Sequence, residues 1–363
     1  MKQLLLLGGG HAHAFVLRSL VGAPIGGARV TLVTPNRHHL YSGMLPGLIA
    51  GHYALGECVI DLAQLAARAG AAVVYDRVAT LDPLRRMARL ERGGEIEYDI
   101  ASLNLGSLPD FAAVPGAAEH ALAAKPFEPF VAAWERLRAR GRSQTLRIAV
   151  AGGGAAGVEL AMAMTRSLVA GGRPGEIELY SDRPAFAPRL GRRVARALAS
   201  AAVTIHPSTA VDAVEPGPVA VARGERRSFD ALVWAAGAAP QPWLAQTGLT
   251  LDPAGFVLVD QTLRSLSHPQ VFAAGDTATL LGAALPKSGV YAVRQGAVLA
   301  RNLRRALEDR PLELYSPQRY SLSLISCGAR YAIAAWGPLA TEGEWVWRWK
   351  DRIDRRWIAA FAP

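Results

Sequence analysis

RIAVAGGGAAGVELAMAM, residues 147–164, carries the reading that decides this fold. A short apolar run leads into Gly152, Gly154 and Gly157, which satisfy G-x-G-x-x-G, and an apolar stretch at helical spacing follows. IELYS (177–181) then supplies a second strand, completing a βαβ unit of the kind that binds dinucleotides. Gly152 permits the tight turn, Gly154 lets backbone approach a pyrophosphate, and Gly157 lets the helix lie close to the strand. Beyond them, from Ala155 onward, the helix N-terminus offers free N–H groups and a positive dipole end to the phosphates. Glycines present for packing alone are the competing reading; strand before and helix after favour nucleotide binding.

The same grammar stands at the start of the chain: LLLL (4–7), GGGHAH (8–13), HAFVLRSLV at helical spacing, and ARVTLVT (28–34). Gly8 and Gly10 occupy the two phosphate-facing positions, followed by His11 and Ala12, while His13 takes the place of the third glycine. His11, His13, His38 and His39 invite a metal reading, yet no cysteine or carboxylate accompanies them at ligand spacing, so no metal site is expected. His13 should instead hold the first helix slightly off its strand or turn its ring aside. A third signal is VFAAGDTA (271–278), ending in Gly275-Asp276. By itself that pair marks a turn; at a strand's C-terminal end, an aspartate is also placed to bind a polyol hydroxyl. Repeated βαβ units predict an α/β protein with parallel sheets.

At 363 residues and 51% hydrophobic, the chain exceeds one ordinary domain and can bury sizeable cores. Two cysteines, Cys58 and Cys327, far apart and without C-x-x-C spacing, exclude a disulfide scaffold and suit a cytoplasmic setting. The glycines arrive too soon for a signal peptide, and no run approaches the ~20 apolar residues of a spanning helix. The net charge of +10 is almost all arginine, since the lysines are only Lys2, Lys125, Lys287 and Lys350. A basic surface invites anionic partners, but without zinc-finger, RNP-type or basic heptad patterns no nucleic-acid partner is expected.

Five stretches together resemble a known group: GGG (8–10), LNLGS (103–107), GGGAAGVELA (152–161), WAAGAAP (234–240) and AAGDTA (273–278). They resemble flavoproteins with two dinucleotide-binding domains, the pyridine nucleotide-disulfide oxidoreductase superfamily, and within it type II NADH dehydrogenases. GGGHAHAFVLRSL, HHLYSGMLPGLIAGHY, PKSGVYAVRQGAVLARNL and WVWRWKDRIDRRW are also similar to the flavoprotein domain fused ahead of selenide, water dikinase. The resemblance implies two Rossmann-like domains: an FAD domain over 1–112 and 241–315, and an NAD(P)H domain over 113–240, with a C-terminal segment over 316–363. It implies FAD at Gly8, Gly10, His11, Ala12, Thr34, Gly106, Gly275 and Asp276. It implies NADH or NADPH at Gly152, Gly154, Ala155, Gly157, Glu159, Ser181 and Gly237. Neither second strand ends in the acid that usually binds a ribose hydroxyl: Thr34 and Ser181 stand there, with Asn36 or Arg37 as substitutes in the first half. Ser181 and Arg183 suit a 2′-phosphate and Asp182 argues the other way, so NADH and NADPH both stay open.

Cys58 and Cys327 lie 269 positions apart, against the close pair that disulfide reductases use, so electrons should pass directly through flavin to a quinone-like acceptor. Glu159 is expected on the first turn of its helix, ordering the nicotinamide junction or simply complementing the helix dipole. Lys287 is expected at the start of a helix running through Arg304, aimed at the flavin pyrimidine edge. By resemblance the segment from Tyr41 and Ser42 to Leu45 lines the isoalloxazine; the Gly and Pro of HHLYSGMLPG (38–47) read as a loop.

Trp345, Trp349, Ile353, Trp357 and Phe361 recur every fourth residue, a helix with an aromatic stripe beside Arg348, Lys350, Arg352, Arg355 and Arg356. Residues 345–361 suit an anionic membrane surface, on the inner face of the cell membrane, or packing onto the flavin domain or a second subunit. Two rival functions remain: a flavin reductase of selenium or sulfur metabolism, and a non-catalytic flavin-binding redox sensor.

Overall fold

The structure, a computed structural model, describes residues 1–362. Two five-stranded sheets, each wholly parallel, dominate it. In the first, Lys2–Leu7 is central, with Ala28–Val33 and Ala72–Val74 on one side and Ile100–Leu103 and Val271–Ala273 on the other. In the second, Arg147–Ala151 is central, with Glu176–Ser181 and Val203–Pro207 on one side and Ala231–Trp234 and Leu122–Ala123 on the other. Past their polar first residues the central strands are apolar without alternation, as strands covered on both faces are; Leu4 to Leu7 and Ile148 to Val150 are buried.

The helices that matter for the site are α1 (His11–Leu20), α2 (Leu45–Ile49), α3 (Ala155–Ala170), α4 (Pro188–Ser200), α5 (Gly289–Leu307) and α6 (Glu344–Ala359). Helices α1 and α5 pack against each other on the first sheet. Gly296 makes the approach close: a Cβ there would stand 3.1 Å from the Ala12 Cα and 2.9 Å from the Phe15 ring. The segments that pass between the sheets are pinned to each other. Leu108 and Ala239 form an antiparallel bridge, and Trp234 Nε1 donates to Asp110 O (2.9 Å).

Two segments depart from expectation. HHLYSGMLPG is ordered rather than a loop. His38–Leu40 pairs with Val59–Asp61, Ser42–Met44 forms a 3-10 turn, and α2 begins at Leu45. Pro46 lies in the first turn of α2, where no backbone N–H is required. The C-terminal segment is also more than a helix. A three-stranded antiparallel sheet (Leu322–Ser326, Ala332–Trp336, Leu339–Gly343) precedes α6. Leu322–Ser326 alternates, but Ala332–Trp336 and Leu339–Gly343 carry no clear period of two, so only the helix was expected.

The stripe on α6 divides between environments. Trp345, Trp349 and Ile353 are 51%, 40% and 38% exposed, whereas Phe361 is buried and Trp357 packs on Phe15 at 4.9 Å between ring centroids. Val346 and Trp347 form the inward face, joined by Lys350, which belongs to the interior rather than to the basic surface. Asp354, one turn on and equally buried, neutralises it at 2.5 Å.

Candidate functional site

In each sheet the strand order reverses at the central strand, and the glycine loop leaves that strand's C-terminal end. Open α/β sheets bind ligands in this crevice. The two loops are built alike. Gly8 has φ +95° and Gly152 φ +123°; an added Cβ would stand 2.5 Å from Asn104 O in one and 2.8 Å from Ala235 O in the other. Only glycine tolerates that combination of backbone angle and backbone neighbour.

The third position shows how the copies diverge. A Cβ on Gly157 would collide with Gly152 O. In the first copy His13 holds the corresponding place and turns the collision into a hydrogen bond. Its Nδ1 donates to Gly8 O (2.6 Å), which leaves Nε2 to accept from the Ser102 hydroxyl (2.8 Å). Burial lowers the His13 pKa to about 4, so this ring is neutral and held as one tautomer.

Asn104, which lies in LNLGS but was assigned no role there, is the other difference. Its Oδ1 accepts from the N–H groups of Ala12 (3.0 Å) and His13 (3.3 Å), while Nδ2 donates to Ala274 O (2.8 Å). The Ala12 N–H is thereby spoken for, and a phosphate at α1 is left the N–H groups of Gly10 and His11. At α3 no side chain caps the helix, and Ala235 stands where Asn104 does in the first copy. Setting LNLG (103–106) over WAAG (234–237) exposes this exchange of Asn for Ala.

Thr34 and Ser181 sit alike at the ends of the second strands. Thr34 Oγ1 faces Gly9 and donates to Asn36 O (3.2 Å); Ser181 Oγ faces Gly153 and donates to Arg183 O (2.7 Å). Arg37 is engaged with Asp61 (2.9 Å).

Gly106, Gly237 and Gly275 each turn the chain just past a strand. Asp276 receives the Ser107 hydroxyl (3.0 Å) and the Lys125 ammonium (3.0 Å), so Lys125, just past the Leu122–Ala123 strand of the second sheet, bridges into the first sheet's crevice. Lys287 does not project from the start of α5, contrary to expectation. Its ammonium donates to Ala278 O (2.6 Å) and Thr279 Oγ1 (2.9 Å) and lies 3.8 Å above the Phe256 ring. Burial lowers its pKa to about 8. The cation has folded onto the acceptors within its reach.

Around the N-termini of α1 and α5 lies an aromatic cluster. His11 contacts His39 (4.5 Å between centroids), Tyr41 (5.5 Å) and Trp357 (6.2 Å). A Cβ on Gly289 would stand 3.2 Å from Ser42 Oγ and 3.8 Å from His11 Nε2, so Ser42 joins this group. His11 Nε2, His39 Nε2 and Trp357 Nε1 are buried without a hydrogen-bond partner. Such atoms each cost about 1–3 kcal/mol, and three together fit a place where a polar ring system docks. Burial lowers His11 to about 4 and holds His39 well below the ordinary histidine range, so both are neutral.

Glu159 lies in the second turn of α3 rather than the first, away from the helix dipole. Its carboxylate accepts from Ser326 N (2.8 Å), and burial, opposed by Lys350, raises its pKa to about 7. Lys350 also donates to Gly43 O (2.5 Å), and Asp354 accepts from Tyr41, which ties α6 to the segment before α2. Cys58 and Cys327 are free thiols whose pKa burial raises to about 12, leaving no reactive thiolate near neutral pH.

Comparison with known proteins agrees with this geometry. The chain is 27% identical over 354 residues to the alternative NAD(P)H-ubiquinone oxidoreductase C1 of Arabidopsis thaliana, covering 85% of this chain and 68% of that one. It is 25% identical to the demethylphylloquinone reductase NdbB of Synechocystis, covering 83% and 78%. Among solved structures it shares the fold of NDH2 from Plasmodium falciparum in complex with NADH, with a TM-score of 0.78, 13% identity and coverage of 99% and 97%. It also shares that of the sulfide:quinone oxidoreductase from Aquifex aeolicus, with a TM-score of 0.82, 16% identity and coverage of 100% and 93%. A family model described as pyridine nucleotide-disulphide oxidoreductase matches residues 2–296, and the chain belongs to that family.

Proposed function

We propose that this protein is an FAD-dependent NAD(P)H oxidoreductase that delivers electrons to a quinone-like acceptor without a redox-active disulfide. The observation that carries this reading is the pair of parallel sheets, each with a glycine loop at its switch point and a helix starting directly beyond it. Quinone reduction by the Arabidopsis and Synechocystis relatives supports the acceptor class.

FAD belongs with the first sheet (1–112 and 241–315), and the nicotinamide dinucleotide with the second (113–240). Bound FAD supplies the hydride acceptor and the electron donor for the second substrate. Gly8, Gly10 and the N-terminus of α1 would hold its pyrophosphate, and Asp276, which accepts from Ser107 and Lys125, would hold a polyol hydroxyl. His11, Tyr41, Ser42 and the start of α5 surround the ring system and exclude water. Gly152, Gly154, Ala155 and Gly157 hold the nicotinamide dinucleotide's pyrophosphate. Glu159, partly protonated near pH 7, positions Ser326 and the C-terminal sheet behind that junction.

The exposed Trp345, Trp349 and Ile353, with Arg348, Arg352 and Arg356 beside them, suit peripheral attachment to an anionic bilayer. Among the described residues no helix is long and apolar enough to cross a membrane.

Anaerobic stopped-flow mixing of the yellow protein with NADH or NADPH, followed by a short-chain quinone, tests the reading. Bleaching and recolouring support it, and a colourless protein that takes up no FAD refutes it. Polysulfide and selenium oxyanions as alternative acceptors separate a quinone reductase from a reductase of sulfur or selenium compounds.

A further inference from the structure

We infer that Lys125, rooted in the second sheet, is a positioning residue for FAD in the first. Its ammonium aims the Asp276 carboxylate and offsets that charge beside an anionic dinucleotide. The inference rests on the assignment of the first sheet to FAD.

Three observations lead there. First, the second sheet sets where the ammonium lies. The Ala124 N–H donates to Trp234 O (2.9 Å), extending the Leu122–Ala123 strand to the residue before Lys125. The helix Phe127–Arg140 follows at once and buries Phe130 and Trp134. Yet the Lys125 ammonium donates to Ser107 Oγ (3.2 Å) and Asp276 Oδ2 (3.0 Å), both just past strands of the first sheet. Among the described residues, no other ion pair joins 113–240 to 1–112 or 241–315.

Second, only the side chain of Asp276 is left for Lys125 to set. The Gly275 N–H donates to Gln295 Oε1 on α5 (2.6 Å), and Thr277 Oγ1 accepts from Leu105 N (2.8 Å). The turn that carries Asp276 is thereby held on both flanks. Ser107 and Lys125 both donate to Oδ2, and among the described residues nothing donates to Oδ1. One oxygen is fixed, and the other is presented to accept a hydroxyl.

Third, Asp276 stands close to the phosphate loop. Asn104 donates to Ala274 O (2.8 Å) with one end and accepts from Ala12 N, in the first turn of α1, with the other (3.0 Å). The Asp276 side chain is 11% exposed. A carboxylate so shielded, within one side chain of a pyrophosphate seat, repels the ligand unless a cation accompanies it. Lys287 is bonded to Ala278 O and Thr279 Oγ1 instead, and the ion pair falls to Lys125.

Serial dilution of the FAD-loaded full chain, with released flavin read by fluorescence, gives the FAD Kd. K125M should raise it at least about tenfold, and K125R should hold it within about threefold of the parent. D276N should weaken FAD binding in the parent but add no further loss to K125M, because Lys125 acts through that carboxylate. Urea unfolding of the same variants without FAD identifies a simple tie between the two sheets. Such a tie would lower the stability of K125M and leave its FAD Kd within about threefold of the parent, which overturns the inference. Equal loss from D276N with and without Lys125 also overturns it. A parent chain that retains no FAD overturns the flavin assignment and this inference together; a parent that retains FAD no better than K125M overturns this inference alone.

Discussion

Gly157→Ala tests the glycine-loop geometry with a single methyl group. The added Cβ would lie far inside the 3.0 Å below which real Cβ atoms are not found, against Gly152 O, and 3.0 Å from Gly152 C. Both neighbours are backbone of the same loop and cannot swing away, so the start of α3 must retreat by roughly 1 Å. That retreat draws the N–H groups of the first turn off the pyrophosphate. A hydrogen bond to a charged group contributes about 1.5–3 kcal/mol, so losing two weakens dinucleotide binding by about 3–6 kcal/mol, roughly 10²- to 10⁴-fold. The fold should survive, because the first loop already accommodates a side chain at this place: His13 sits beside Gly8 O and bonds to it. The assay is the concentration dependence of flavin reduction by NADPH and NADH, with FAD content measured on the same samples. Unchanged FAD content with at least about a hundredfold rise in nicotinamide Kd is the expected result. A Kd within about threefold of the parent would refute the claim that close helix approach holds the pyrophosphate.

Other perturbations probe the remaining parts. K350M leaves the Asp354 carboxylate buried without its cation and should destabilise the fold by about 3–5 kcal/mol, read by urea unfolding; restoration by K350M/D354L would confirm that the unpaired charge is the cause. Glu159 has a folded pKa of about 7 against the ordinary glutamate value of 4.5, so its ionisation opposes folding increasingly as pH rises through that window. E159Q should therefore match the parent at pH 4.5 and be the more thermostable at pH 8; equal melting temperatures at both would contradict the burial of this carboxyl. N104A removes the acceptor for Ala12 and His13 and the donor to Ala274, and should lower FAD affinity by about tenfold on equilibrium dialysis while leaving nicotinamide dinucleotide binding unchanged.

Much of the architecture was legible because local chemistry dictates it. A strand buried on both faces is apolar throughout, a loop meeting a phosphate needs glycine, and a helix declares itself at 3.6-residue spacing. Arg147–Met164 and its weaker twin at the N-terminus therefore announced two parallel sheets and their crevices. HHLYSGMLPG misled because Pro and Gly suit a helix's first turn as well as a loop, and packing of Gly47 under the Tyr53 ring decides between them.

What the chain alone determined were the periodic elements and the glycine positions, since both follow from backbone geometry and burial. Tertiary structure alone decided which polar atoms meet. Asn104 reaches α1 across a separation of 92 residues, Lys125 reaches Asp276 across 151, and Lys350 reaches Gly43 across 307. No local propensity encodes such pairs, because the energy of a buried hydrogen bond or ion pair exists only once the low-dielectric surroundings that isolate it have been assembled. His13 shows both levels at once. Its place in the third glycine position could be read from the sequence, but its neutral ring bonded to Gly8 and Ser102 depends on a strand 89 residues away.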